Sequence, residues 1–307
     1  MTSRGISFLL MAAATTLFSP GALHPVRGET IQFSTSADTT IFQHDPDNNF
    51  GAVDSLAVGG TASGSLARSL LKFDAAGTLP ATATIISVQL DFEIVKVPTS
   101  GGRPSDFRLQ RMLQNWTEGS QAGGARGEAA ATGESTWNFR AHPTVRWSQP
   151  GGAAPADFLP TASASVRVAG IGRYKFASTP ELIADMQAWL ANPASNFGWI
   201  MLSQTERTPE TARRIGAREA GERGPVLTIE FRVEPQLRID GFEIVKHEFR
   251  LHFLAESNRA YVVETREALA TGEWNVLAHF GPFPIPTHVT ATDAANRPER
   301  FYRLQSP

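Results

Sequence analysis

After an apolar opening stretch, the chain runs as short hydrophobic segments punctuated by turn residues. Residues 30–33, 55–58, 69–73, 85–95, 107–112, 165–168, 199–202 and 226–231 read as strands. The clearest is Ser87-Val88-Gln89-Leu90-Asp91-Phe92-Glu93-Ile94-Val95. Val88, Leu90, Phe92 and Ile94 point one way, and Gln89, Asp91 and Glu93 the other. Alternation of this kind predicts a strand with one face on a core and one in water. Thr228-Ile229-Glu230-Phe231-Arg232 repeats it.

One stretch has helical spacing instead. Thr179 is a good N-cap, Pro180 suits the first helical position, and Glu181 suits the positive helix end. Leu182, Ile183, Met186, Trp189 and Leu190 form one apolar stripe, and Asn192-Pro193 ends it. Gly/Ala/Ser-rich residues 119–133 and 149–163 read as long loops. A boundary is expected near Val233–Pro235. Beyond it, residues 249–253, 260–265, 274–280, 288–292 and 301–304 form a second series of strands.

Composition adds the compartment. Arg4 precedes an apolar run over residues 6–18 that is too short to span a bilayer, and Ser19-Pro20-Gly21 breaks it. This predicts an export signal over residues 1–28, cut near Gly28. Removing it deletes Arg4 and Arg27, leaving 26 Lys+Arg against 30 Asp+Glu, a net charge of −4. That mild acidity gives no electrostatic case for nucleic acid. No later segment is apolar enough for a membrane span in the mature chain. With 0 cysteines there are no disulfides, thiolate metal sites or cysteine nucleophiles.

Enzyme signatures are mostly negative. Gly59-Gly60-Thr61-Ala62-Ser63-Gly64 lacks the Lys-Ser/Thr ending of a phosphate loop and the spacing of a nucleophile elbow. His247-Glu248 has its next histidine, His252, one residue too late for a zinc motif.

Another set of phrases carries more. They are Ala37-Asp38-Thr39, Asp47-Asn48-Asn49-Phe50-Gly51, Ala67-Arg68-Ser69-Leu70-Leu71-Lys72-Phe73-Asp74 and Trp116-Thr117-Glu118-Gly119. Ser135-Thr136-Trp137-Asn138, Asn196-Phe197-Gly198-Trp199 and Arg218-Glu219-Ala220 follow, the last preceding Gly224-Pro225-Val226. In this order, over about residues 35–232, the chain resembles the DNRLRE domain, the same family as carbohydrate-binding module family 96. The resemblance implies a jelly-roll-like β-sandwich in secreted bacterial proteins, often beside polysaccharide-degrading modules, with alginate-type binding in some members. The sequence departs from the family pattern in a Gly/Ala insertion before Trp137 and a long loop after it. The tail is similar, more weakly, to small β-sandwich modules of exported proteins.

Candidate chemistry follows from residue type. Flat aromatic faces cover apolar sugar faces, so Trp116, Trp137 and Trp147 are the candidate stacking residues, with Trp147 expected to be the most exposed. The competing reading for each is burial in the sandwich. Arg68 either grips a uronate carboxylate or makes a structural ion pair. Asp45, Asp47 and Asn49 are candidate ligands of a structural calcium, the competing reading being an Asx turn. No other cofactor is implied.

The sequence thus predicts an all-β chain: a jelly-roll-like β-sandwich over residues 29–234 with one short amphipathic helix, then a small β-sandwich module over 236–307. The expected function is that of an exported, non-catalytic binder of a polysaccharide, such as the acidic polymer alginate. The alternative is a structural cell-surface or matrix protein that mediates protein contacts. The expected location is extracellular or at the cell surface.

Overall fold

The computed structural model describes residues 28–75, 77–101, 103–233, 237–297 and 299–306. The segment assigned to the export signal, up to residue 27, lies outside the described residues. Two compact units result, one ending at Val233 and one beginning at Leu237.

The larger unit is a sandwich of two antiparallel sheets. The first runs Glu29–Ser34, Val226–Val233, Ala83–Lys96, Arg213–Gly216 and Ser55–Gly60. Gly172–Phe176 also pairs with Ala83–Lys96. The second contains Ala37–Phe42, Leu66–Lys72, Trp199–Ser203, Ser105–Arg111 and Ala164–Val168. Ser55–Gly60 belongs to both: residues 55–58 pair with Arg213–Gly216, and Gly59 and Gly60 pair with Leu66 and Ala67. Gly59 makes that corner possible. Its φ is +114°, and a Cβ there would lie 2.6 Å from the Thr211 carbonyl oxygen.

The alternation read from residues 87–95 sets the core. Val88, Leu90, Phe92 and Ile94 are buried, while Gln89, Asp91 and Glu93 stay partly exposed. With Leu227 and Ile229, the buried set meets Leu71, Phe107, Leu109, Trp199 and Met201 of the second sheet. Each such side chain, fully buried, contributes about 1.5–3 kcal/mol. The helix Pro180–Ala191 forms as its sequence predicts. Thr179 Oγ1 accepts a hydrogen bond from the Leu182 amide at 3.0 Å. Leu182, Met186, Trp189 and Leu190 join the same core, where Trp189 meets Trp199 edge-on at 4.6 Å.

The outer face of the second sheet is apolar too: Ile41, Leu70 and Ile200 point away from the main core. Parts of the chain between residues 112 and 163, including the second Gly/Ala-rich loop, fold over that face. Met112, Trp116, Trp137, Trp147 and Phe158 pack onto it as a separate cluster. Carboxylates fasten the cover. Glu134 accepts from the amides of Ser120 and Ala131, each at 2.8 Å. Asp157 accepts from the amides of Ser148 and Ala153.

Both Asn-Phe-Gly turns are structural. Asn196 Nδ2 donates to the Phe73 carbonyl at 2.8 Å, and its Oδ1 accepts from the Gly198 amide at 3.1 Å. Asn49 does the same around Gly51. Three strands of the two sandwich sheets escape the hydrophobic reading: Ala37–Phe42, Gly172–Phe176 and Arg213–Gly216. Each is short and polar-rich, and is a strand because a stronger neighbour pairs with it.

The smaller unit packs two three-stranded antiparallel sheets. One is Ile239–Val245, Glu248–Ala255 and Thr287–Ala294; the other is Asn275–Phe280, Tyr261–Arg266 and Phe301–Gln305. Phe249, Leu251, Phe253, Tyr261, Val263, Tyr302 and Leu304 fill the space between them. Phe249 stacks on Tyr302 with ring centres 4.2 Å apart.

Candidate functional site

The structure brings the three candidate tryptophans together but buries them. Trp116, Trp137 and Trp147 are 7%, 5% and 4% exposed. Trp116 Nε1 donates to the Phe197 carbonyl at 2.7 Å, and Trp147 Nε1 to the Thr136 carbonyl at 2.9 Å. Trp147, expected to be the most exposed, is the least. The physical reason is the apolar outer face of the second sheet, which the loop cover must bury. These rings offer no open face to a sugar, so their expected stacking role is corrected to a packing role.

Arg68 belongs to the same cover. Its Nε and Nη2 bind the two carboxylate oxygens of Glu206 at 3.0 and 2.6 Å. Nη1 donates to the Gly151 and Gly152 carbonyls at 2.8 Å each. The guanidinium also lies 5.4 Å from the Trp137 ring centre. Its donors are used within the protein, so Arg68 is a clamp for the loop and not a free grip for a uronate.

The candidate calcium ligands are not drawn into one coordination set. Asn49 Oδ1 accepts from the Gly51 amide at 2.9 Å and the Gln121 amide at 3.3 Å, while Nδ2 donates to the Glu118 and Ser135 carbonyls. Its amide is used up in tying three segments. Asp47 Oδ1 accepts from Asn138 Nδ2 at 2.9 Å, and Asp45 faces His44 and Arg126. The loop is held by Asx chemistry, the competing reading from sequence.

With the second sheet covered, the open sheet face is the outer face of the first. Thr228 and Gln89 lie side by side on it, as do Val226 and Asp91. Arg173 and Lys175 stand opposite Glu93 and Asp91 and pair with them at 3.8 and 3.7 Å. Two open depressions cut this side. One, about 350 Å³, is lined by Gln32, Asp91, Phe92, Glu93, Arg173, Glu222, Arg223, Gly224 and Val226. The other, about 360 Å³, is lined by Val53, Asp54, Ser55, Val95, Lys96, Gly124, Arg214 and Arg223.

Arg223 lines both depressions and ends the short turn Arg218–Arg223. Lys96 and Arg223 have no ion pair among the described residues and are exposed. Arg214 donates to the Ser55 carbonyl at 3.3 Å, and burial pushes its pKa down from the ordinary guanidinium value. A shallow trough edged by carboxylates, an amide and cations, of which Lys96 and Arg223 make no ion pair among the described residues, can hydrogen-bond hydroxyls and hold anionic groups along an extended polymer.

The family comparison places the first part of this trough in a known setting. Residues 29–147 match carbohydrate-binding module family 96. The matched segment is similar to modules of that family, which are described as carbohydrate-binding. It supplies Gln32, Asp91, Glu93 and Lys96 of the trough. Arg173, Arg214 and Arg223 lie beyond the matched residues, in strands and a turn that complete the same sheet face. No curated protein matches the chain.

The trough residues were missed from sequence as a site. The sequence does carry one signal, the alternation that puts Gln89, Asp91 and Glu93 on the water-facing side of their strand. Nothing in the local pattern brings Arg223, more than a hundred residues on, to the same face.

Proposed function

We propose that the mature protein is an exported, non-catalytic polysaccharide-binding protein. Its ligand runs along the outer face of the first sheet, with an acidic polymer of the alginate type as the preferred class. The observation that carries this is the trough around Arg223, in a unit whose first 119 residues match a carbohydrate-binding family. Lys96, Arg214 and Arg223 would hold carboxylates of the polymer, and Gln32, Asp91 and Glu93 its hydroxyls. The carboxylates paired with Arg173 and Lys175 act here as acceptors fixed by ion pairs. Export rests on the charged and apolar pattern of the first residues. Among the described residues no helix is long and apolar enough to cross a membrane.

The test is retardation of the purified protein in gels containing alginate, a neutral β-glucan or a sulfated polymer, with product release measured in parallel. The proposal expects retardation by alginate, weaker retardation by the neutral polymer, and no new reducing or unsaturated ends. Absence of retardation by every polymer sinks the binding role, and release of unsaturated sugars sinks the non-catalytic one.

A further inference from the structure

A second group of charged side chains lies in the larger unit, and none of its members lines the trough. Asp38, Glu118 and Glu219 can each place one carboxylate oxygen within 4.8 Å of the others. Crowded acids alone do not make a site. The independent observation is an orphaned atom. Asp38 is 1% exposed, and its Oδ1 is buried without a hydrogen-bond partner. Its Oδ2 is satisfied, accepting from Thr35 Oγ1 at 3.1 Å and from the Arg218 amide at 2.9 Å. A buried carboxylate oxygen with no donor is costly, and none of the described residues offers it one.

Charge at the group is also unbalanced. Arg218 is its one guanidinium, with Nη2 3.1 Å from Glu118 and 2.7 Å from Glu219. One positive charge therefore faces three carboxylates. Arg218 is also the member able to leave: its side chain is 41% exposed, against 17% for Glu118.

We propose that Asp38, Glu118 and Glu219 form a divalent-cation site of the calcium type. Hard cations take carboxylate oxygens and complete their shell with carbonyls or water. The ion would supply the partner that Asp38 Oδ1 lacks and leave Arg218 free to turn to solvent. It would tie together three separate segments: the strand Ala37–Phe42, the start of the loop cover at Glu118, and the turn Arg218–Arg223. The last of these carries Arg223 of the trough, so a bound ion would brace the polymer-facing side from beneath.

The test uses the full chain, stripped with chelator and then titrated with calcium chloride or magnesium chloride. Thermal midpoint and calorimetric heat are the readouts. The wild type is expected to gain several degrees in midpoint with calcium and less with magnesium. Asp38→Asn and Glu219→Gln are expected to lose that gain, and Asp45→Asn is expected to keep it. Glu219 is exposed, so its substitution keeps the test sound if Asp38→Asn folds poorly. A wild type indifferent to calcium overturns the proposal. A calcium gain that survives Glu219→Gln and disappears in Asp45→Asn overturns it as well, by placing the ion at the other acidic loop.

Discussion

Replacing Trp137 with alanine separates packing from ligand stacking at the residue where the two readings differ most. Trp137 is 5% exposed, lies under the Arg68 guanidinium, and shares a cluster with Trp116, Trp147 and Phe158. Gly151 packs so closely that a Cβ there would come within 2.5 Å of the indole. Removing the ring leaves a cavity the cover can fill only by shifting, and truncation of a buried Trp costs about 3–5 kcal/mol. For a unit of this size each kcal/mol lowers the melting midpoint by about 2–4 °C, so the expected loss is about 6–20 °C. Differential scanning calorimetry reads the midpoint, and gel retardation at 20 °C reads polymer binding. The structure predicts a large thermal loss with binding by the folded fraction retained. A variant that melts like the wild type but no longer binds polymer would refute the burial argument and restore Trp137 as a stacking residue.

Three further outcomes follow from the same contacts. Arg68→Met leaves Glu206 and two carbonyls without their buried donor, and is expected to cost about 3–5 kcal/mol in urea unfolding. A loss below about 1 kcal/mol would show the clamp to be a surface ion pair. Thr179→Ala removes the hydroxyl that accepts from the Leu182 amide. It should cost about 1 kcal/mol by the same assay, with polymer binding unchanged. Val88→Ala, at a fully buried position in the main core, should cost about 2 kcal/mol; a neutral result would mean that the strand alternation does not set the core.

Much of the fold is legible in the hydrophobic pattern because its strong strands bury one face. Residues 85–95 and 226–231 announce themselves by alternation, and the helix by its cap and stripe. Arg213–Gly216 does not, since it is a strand only between Ala83–Lys96 and Ser55–Gly60. Of the seven short phrases that carry the family resemblance, the five up to Asn138 fall within the match over residues 29–147, and those at Asn196 and Arg218 lie beyond it. The site was far less legible. Tryptophan type suggests stacking, but exposure depends on whether something covers the sheet beneath. Here Trp137 and the long loop after it are part of that cover. Asn49 misled similarly: its oxygen suits a cation, yet backbone amides of the turn and the cover consume it. The cations of the trough come from distant stretches, and only the sheet register brings them near one another.

The central claim is that polymer lies along the outer face of the first sheet, held by cations that include Lys96 and Arg223. The most direct measurement is the alginate affinity of a Lys96→Glu/Arg223→Glu double variant against that of the wild type, at low and at raised salt. Both side chains are exposed, so the fold should melt unchanged. Losing two cation–carboxylate contacts of about 1 kcal/mol each corresponds to a loss of affinity of at least about tenfold. That loss is expected, together with a weaker salt dependence than in the wild type. An unchanged affinity in a folded double variant would contradict it and send the search for the ligand to another face.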